Sequence, residues 1–300
     1  MDQPAPFTAR TGRYAFAALI LANLVLALGP WMVRLADVGP VASGFWRMAL
    51  AAPLLLLFAR WGSKDRIAPS AALVGLVALG GLFFAADLAA WHVGIGLTKL
   101  ANASLFGNSS SFTFTLYGFL VLRALAKRLQ LAALGLAGAG TALLLGSSYE
   151  ASSQHFTGDL FALLAGLFYT FYLVAVDRAR RTMAPMPVLA VATAAGALPL
   201  LLFSLALGEQ VVPGDWTPLI LLSLGSQVVG QGLLVYSMGH LSPVVVGLGL
   251  LTQPAASALI GWLAYGERLG LADGAGALLI CIALVLIRLP EGREAKAVPV

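Results

Sequence analysis

Long apolar runs alternate with short polar segments along almost the whole chain. Crossing a membrane takes about 20 mostly apolar residues, and ten stretches are close to that length. The runs are continuous and rich in Ala and Leu, which favours helices over the alternating strands of a membrane barrel. The predicted spans are residues 14–35, 41–60, 69–91, 99–122, 129–147, 157–178, 187–207, 216–236, 243–264 and 269–288.

Composition supports an all-α integral membrane protein. Hydrophobic residues make up 60% of the 300-residue chain and charged residues 10%, whereas soluble domains carry about 25% charged residues. The net charge of +5 comes from short basic clusters between the apolar runs. Such clusters report orientation in a bilayer rather than a nucleic-acid surface. The expected environment is therefore the lipid bilayer, with no nucleic-acid partner.

The basic residues also predict which side each loop occupies. If the N-terminus is cytoplasmic, 14 of the 18 Lys and Arg residues fall on the cytoplasmic side, 3 fall outside, and Arg47 lies within a span. Because cytoplasmic loops collect Lys and Arg, both termini are expected in the cytoplasm of a cell with this protein in its inner membrane. Arg10 and Arg13 then precede a first membrane helix rather than a cleaved signal peptide.

The ten spans divide into two units of five. The predicted organisation is a tail (1–13), a first unit (14–147), an external linker (148–156), a second unit (157–288) and a second tail (289–300). Because five is odd, the second unit must enter the membrane in the opposite direction from the first. Inverted repeats are typical of transporters, whose substrate site lies near the midplane between the two halves.

Several segments resemble a known family. The stretch from Leu241 to Leu286 contains Pro254 and the sequence Gly266-Glu267-Arg268, followed by Gly274. Together with "FWRMALAAP" and "GDLFALLAGLFYTFYLV", it resembles the drug/metabolite transporter superfamily in its EamA-type ten-helix form. "AADLAAWHVGIG" is similar to the YddG-type amino-acid exporters of that superfamily. The resemblance implies two inverted five-helix repeats around a central cavity, and export of small metabolites by alternating access.

Polar residues near the middle of five spans predict a shared polar interior, because an unsatisfied polar group in hydrocarbon costs several kcal/mol. Residues spaced by three, four or seven share one helix face, as Gln227 and Gln231 do. The alternative is that these groups only join helices, at about 0.6 kcal/mol per hydrogen bond. The candidate substrate-cavity residues are Asn23, Trp91, Asn102, Asn108, Ser109, Thr113, Tyr169, Tyr172, Gln227, Gln231 and Gln253.

Two charged residues lie inside predicted spans. Arg47 is six residues into the second span, and Asp87 is four residues before the end of the third. These positions are roughly 9 Å and 6 Å deep at 1.5 Å per residue. We expect an Arg47–Asp87 ion pair that helps to close the outward path. Alternatively, Arg47 reaches the membrane surface, caps carbonyl groups or contacts the substrate.

The predicted function follows from what the midplane contains. With no charged residue expected at mid-depth, the substrate is expected to be a neutral or zwitterionic small molecule such as an amino acid. Asp87 and His92 are possible proton-linked residues, but an Asp87 paired with Arg47 would carry protons poorly. A facilitator is therefore favoured, and the alternative is a proton-coupled drug or metabolite antiporter of the same fold.

Other function classes find little support. The sequence contains no H-E-x-x-H, G-x-S-x-G or Walker-type motif, and Cys281 is its single cysteine. We therefore expect no catalytic residues, no metal site and no cofactor. One subunit could form the whole transport path, and glycine-rich faces on the fifth and tenth spans leave a dimer open.

Overall fold

The computed structural model describes residues 9–61, 69–98, 106–122, 128–146, 155–265 and 270–286, and these ranges contain helices and no strands. In chain order the elements are α1 (Ala9–Ala27), α2 (Gly29–Leu35), α3 (Pro40–Trp61), α4 (Ala71–Leu97), α5 (Ser109–Leu122), α6 (Arg128–Gly146), α7 (Phe156–Arg180), α8 (Pro185–Ala206), α9 (Thr217–Leu222), the π-helix π1 (Ser223–Gly230), α10 (Gln231–Met238), α11 (Pro243–Leu250), α12 (Thr252–Tyr265) and α13 (Leu271–Leu286).

Within the described ranges, six helical stretches are long and apolar enough to cross a membrane. They correspond to the predicted spans 14–35, 41–60, 69–91, 157–178, 187–207 and 216–236, with ends that differ by up to six residues. The described chain is thus that of a multi-pass membrane protein. Asn102, Gly266, Glu267 and Arg268 lie outside the described residues, as do 148–154 of the predicted linker.

The ninth predicted span is interrupted near its proline. Proline has no amide hydrogen, and its ring clashes with the carbonyl group four residues earlier. Accordingly α11 ends at Leu250 and α12 begins at Thr252, just before Pro254. The carbonyl oxygen of Gly249 accepts hydrogen bonds from Thr252 Oγ1 at 2.7 Å and from Asn23 Nδ2 at 2.8 Å. Side chains thus satisfy a carbonyl group beside the break.

Helix α4 is longer than the sequence pattern predicts. It continues to Leu97 instead of ending near residue 91, so Asp87 lies roughly 15 Å along the axis from its end at 1.5 Å per residue. At 27 residues α4 is longer than the roughly 20 residues that cross a bilayer core. The expectation that no charged residue lies at mid-depth stays a prediction.

The π-helix π1 keeps one buried face aligned. Residues at intervals of four are buried through this stretch: Leu219, Ser223, Gln227, Gln231 and Val235. In a regular α-helix of 3.6 residues per turn, such a row would drift by about 40° at each step. The wider π-helical turns, with their longer hydrogen-bonded rings, offset that drift. Both glutamines therefore reach the interior, as the spacing predicted.

The helices pack as a bundle in which α4 has its most extensive contacts with α7 and α8. Helix α3 packs on α8, α5 on α11, and α6 on α13. The approach of α4 to α8 depends on Gly81, because a Cβ atom there would lie 2.1 Å from the carbonyl oxygen of Ala192. A backbone atom of a packed helix cannot move aside as a flexible side chain can.

We expect Gly81→Ala to destabilise the protein by about 1–3 kcal/mol, the usual cost of overpacking a close contact. Gly75→Ala on the same helix is the matched control, since a Cβ atom at Gly75 meets nothing within 4 Å. The control should be neutral or slightly stabilising because alanine favours helix. Thermal unfolding of both purified variants in detergent measures the difference. Equal unfolding temperatures would contradict the close crossing.

Candidate functional site

A polar layer in the interior of the bundle is formed by side chains on α3, α4, α7, α8, π1 and α10. Arg47 on α3 donates a hydrogen bond from Nε to Gln227 Oε1 on π1 at 2.9 Å. Gln227 Nε2 in turn donates to Thr193 Oγ1 on α8 at 2.8 Å. Both ends of the Gln227 amide are thus occupied, and Gln227 has no exposed surface. The amide fixes the position of the arginine relative to α8.

Aromatic rings from α4 and α7 support the same arginine. The Arg47 guanidinium lies over the ring of Phe84, with its Cζ atom 5.4 Å from the ring centroid. Phe84 stacks on Tyr172 at 4.6 Å between centroids and is 5.9 Å from Tyr169. A cation over an aromatic face is stabilised by the negative potential of the ring. The rings therefore provide a second restraint on the guanidinium.

Gln231 orients the two tyrosines. Its Oε1 atom accepts a hydrogen bond from the Tyr172 hydroxyl at 3.2 Å, and its Nε2 atom donates to the Tyr169 hydroxyl at 3.4 Å. Tyr172 and Gln231 are buried, whereas Tyr169, like Arg47, is only half-buried. The layer thus contains buried residues, such as Tyr172 and Gln231, and half-buried residues, such as Arg47 and Tyr169. Hydrogen bonds with the buried residues hold the half-buried ones in place.

The predicted ion pair between Arg47 and Asp87 is not formed as a direct contact. No nitrogen of Arg47 lies within 4.0 Å of an Asp87 oxygen in the part of the chain that is described, although the two charges interact electrostatically. Arg47 contacts Gln227 instead. Asp87, also half-buried, makes no hydrogen bond or ion pair with any described residue. The role of these two residues in closing the outward path stays a prediction.

Trp91 and His92 follow Asp87 on α4 and differ in surroundings. Trp91 is half-buried, and its indole packs on Gly107, where an added Cβ atom would lie 3.3 Å from Trp91 Nε1. His92 is buried and faces α3, where a Cβ atom at Gly44 would lie 3.7 Å from its Cε1 atom. His92 lies within the extended α4 rather than at a helix end.

The hydroxyl groups of α5 serve a helix contact. Thr113 Oγ1 and Thr170 Oγ1 are 2.5 Å apart and join α5 to α7. Ser109 Oγ is buried against Gly166 of α7, where an added Cβ atom would lie 2.3 Å away. These contacts match the alternative in which polar groups join helices. Asn108 is half-buried in the turn that precedes α5.

Asn23 and Gln253 occupy different environments from the polar layer. Asn23 has no exposed surface and bonds to the Gly249 carbonyl group, so its role is to join α1 to α11. Its Oδ1 atom is buried without a hydrogen-bond partner among the described residues, and a cavity role for Asn23 stays a prediction. Gln253, at the start of α12, is half-buried and makes no hydrogen bond to a described residue.

The sequence did not predict two residues that contact Arg47 or Gln227, namely Thr193 and Phe84. Thr193 lies in the predicted span 187–207, which supplied none of the candidate cavity residues, yet it binds Gln227. Phe84 lies three residues before Asp87 and supports Arg47. The available signals were a hydroxyl near the middle of span 187–207 and an aromatic residue on the helix face of Asp87.

The segment between α8 and α9 covers the start of α3. The Glu209 carboxylate accepts hydrogen bonds from the backbone amides of Val41 at 3.2 Å and Ala42 at 2.8 Å. Trp46 Nε1 donates to the Val211 carbonyl at 2.7 Å. A carboxylate at a helix N-terminus is favourable because it satisfies free amides and complements the helix dipole. This end of α3, two turns from Arg47, is thereby tied to the second half of the chain.

Comparison with known proteins links the second half of the chain to a transporter family. Residues 156–289, somewhat under half of the chain, match the EamA-like transporter family. No curated protein matches the sequence significantly. The fold is similar to that of a protein of known crystal structure, with a TM-score of 0.78 over 94% of this chain and 98% of the other at 18% identity. At that identity, the likeness concerns the fold alone.

We expect a double-mutant cycle of Arg47→Met and Gln227→Leu to give a coupling energy of about 1 kcal/mol in the free energy of unfolding, since the two side chains share a buried charge-assisted hydrogen bond. The cycle of Arg47→Met with Asp87→Asn should give a smaller value, because those side chains do not touch. Denaturation by SDS in mixed micelles measures both. A larger coupling energy between Arg47 and Asp87 than between Arg47 and Gln227 would instead support a direct ion pair.

Proposed function

We propose that this protein exports amino acids or similar small neutral or zwitterionic metabolites across the cell membrane by alternating access. The match of residues 156–289 to a transporter family supports transport of small metabolites. The half-buried Arg47 and Asp87 inside a bundle of membrane-length helices are the observation that carries the proposal. Such charges are costly in a membrane and typically mark a substrate or ion path. The resemblance of residues 85–96 to YddG-type exporters favours amino acids.

An inverted repeat of two five-helix units fits the packing. If the two units are related by a repeat, the third span corresponds to the eighth and the sixth corresponds to the first. The contact of α4 with α7 then corresponds to that of π1 and α10 with α1, and α5–α7 corresponds to α12–α1. The pairs α3–α8, α5–α11 and α6–α13 correspond to themselves. This correspondence supports the repeat and a site between the halves.

The distribution of Lys and Arg supports cytoplasmic termini, which makes the contact of Glu209 with α3 an outer closure. On the cytoplasmic side, Tyr117 on α5 donates a hydrogen bond to the Asp177 carboxylate on α7 at 3.0 Å, and Arg180 Nε donates to the Val235 carbonyl at 2.8 Å. Breaking the outer contacts of Glu209 would open the polar layer to the outside only, and breaking the contacts of Tyr117 and Arg180 would open it to the cytoplasm only. Alternating access requires that the two sets of contacts break one at a time.

The first test is counterflow in liposomes that contain the purified protein. Labelled neutral amino acids should enter vesicles preloaded with the unlabelled compound, without an imposed ion gradient. Arg47→Gln should slow exchange by at least about tenfold. Without Arg47, the carboxylate of a bound amino acid has no cation beside it, and losing such a buried contact costs more than about 1.4 kcal/mol.

Arg60→Gln is the control for this test, since it makes the same substitution at the exposed end of α3. The control should exchange at the wild-type rate. Absence of counterflow for every amino acid, with exchange of a cationic drug or a purine instead, would contradict the proposed substrate class.

A proton-coupled antiporter is the second candidate, and one observation favours it. Asp87 makes no direct ion pair with Arg47, so the reason to regard it as a poor proton carrier is weaker than the sequence suggested. A facilitator should transport equally well with and without a pH gradient. Flux that falls when the gradient is collapsed, and that becomes insensitive to it in Asp87→Asn, would establish proton coupling instead.

A further inference from the structure

Arg47 and Asp87 carry opposite charges, interact electrostatically and make no direct ion pair with each other. The Nη1 and Nη2 groups of Arg47 and the carboxylate of Asp87 make no hydrogen bond or ion pair with any residue in the described ranges. Both side chains are half-buried. Charges inside membrane proteins are normally paired or hydrated, because hydrocarbon solvates them poorly. Two neighbouring unpaired groups therefore indicate a place where a ligand completes the pairing.

Other contacts of Arg47 keep the two charges apart. Its Nε atom is bonded to Gln227, whose amide is fixed in turn by Thr193. Its guanidinium plane also rests on Phe84. These restraints prevent the arginine from moving onto Asp87, although the charges attract each other. The separation between cation and anion is thus built into the framework of α3, α4, α8 and π1.

The unbonded polar atoms of Arg47 and Asp87 suit different functional groups. With Nε engaged by Gln227, the two remaining amino groups of Arg47 can bind both oxygens of a carboxylate. The Asp87 oxygens can accept hydrogen bonds from an ammonium group. Tyr169 interacts electrostatically with both charges, and Trp91 lies one turn beyond Asp87 on the same face of α4. Their half-buried rings offer apolar surface with a polar edge. Gln231 fixes the orientation of Tyr169.

We infer that the substrate is an amino acid with an apolar or aromatic side chain, whose carboxylate binds Arg47 and whose ammonium group binds Asp87. The inference rests on the proposed function and assigns these residues to substrate recognition instead of to a gate. It requires both charges on one ligand, because a ligand with a single charge leaves either Arg47 or Asp87 unpaired in the membrane interior.

The test uses four compounds that share one aromatic body. Phenylalanine carries both charges, phenylalaninamide and phenethylamine lack the carboxylate, and 3-phenylpropionate lacks the ammonium group. Their binding to the purified wild-type protein is measured in detergent as a ligand-dependent rise in unfolding temperature. Phenylalanine should bind at least about tenfold more tightly than each of the other three, because each of them leaves one buried charge uncompensated.

Two variants assign the charges to residues. Arg47→Gln should weaken phenylalanine binding at least about tenfold and leave phenethylamine binding within about twofold. Asp87→Asn should weaken phenylalanine equally and leave 3-phenylpropionate unaffected. Arg60→Gln, at the exposed end of the same helix, should bind all four compounds as the wild type does. If a variant does not fold, the wild-type series still tests the requirement for both charges.

Wild-type protein that binds phenylalanine no better than its amide or 3-phenylpropionate would overturn the inference, as would absence of phenylalanine binding. Counterflow of phenylalanine in liposomes separates this result from the proposed function. Counterflow without discrimination among the four compounds refutes the recognition scheme but leaves transport intact. Discrimination in binding without counterflow supports the scheme and refutes transport.

Discussion

The hydrogen bond from Arg47 to Gln227 links the charged interior of this protein to the rest of its bundle. A guanidinium on a long side chain could reach several partners, and inside a membrane each possible position has a large desolvation cost. Gln227 selects one of them because its other end is held by Thr193. Phe84, stacked on Tyr172, supports the guanidinium plane from α4. Contacts from π1, α8 and α4 to α3 thus meet at Arg47 and the Gln227 amide.

The same requirement for internal partners explains the irregular backbone. Hydrocarbon offers no hydrogen bonds, so each interruption of a helix must be satisfied by nearby protein groups. At the break before Pro254, Asn23 and Thr252 bind the carbonyl group of Gly249. At the start of α3, the Glu209 carboxylate binds two free amides. These polar side chains are structural, and they show why polar residues in a span do not all belong to one cavity.

The polar layer has two kinds of members, and they differ in freedom. Gln227, Gln231 and Tyr172 are buried and hydrogen-bonded, Gln227 to Arg47 and Thr193 and Gln231 to Tyr172. Arg47 and Asp87 are half-buried and keep polar atoms that bond to no described residue. Because the buried residues are already held in place, ordering Arg47 and Asp87 when a ligand binds costs less conformational entropy. Recognition by such a site depends on how its charges are spaced more than on their number.

Local pattern was enough to predict a helical membrane protein, most ends of the described spans, and the shared face of Gln227 and Gln231. Each of these follows from hydropathy or helical period. The length of α4 was not predictable in this way, because Gly94 and Gly96 resemble a helix end although packing on α7 extends the helix to Leu97. The choice of Gln227 over Asp87 as the partner of Arg47, and the structural role of Asn23, were decided only by the tertiary structure. Both depend on the rotation and depth of neighbouring helices, which long-range packing sets and no local pattern encodes.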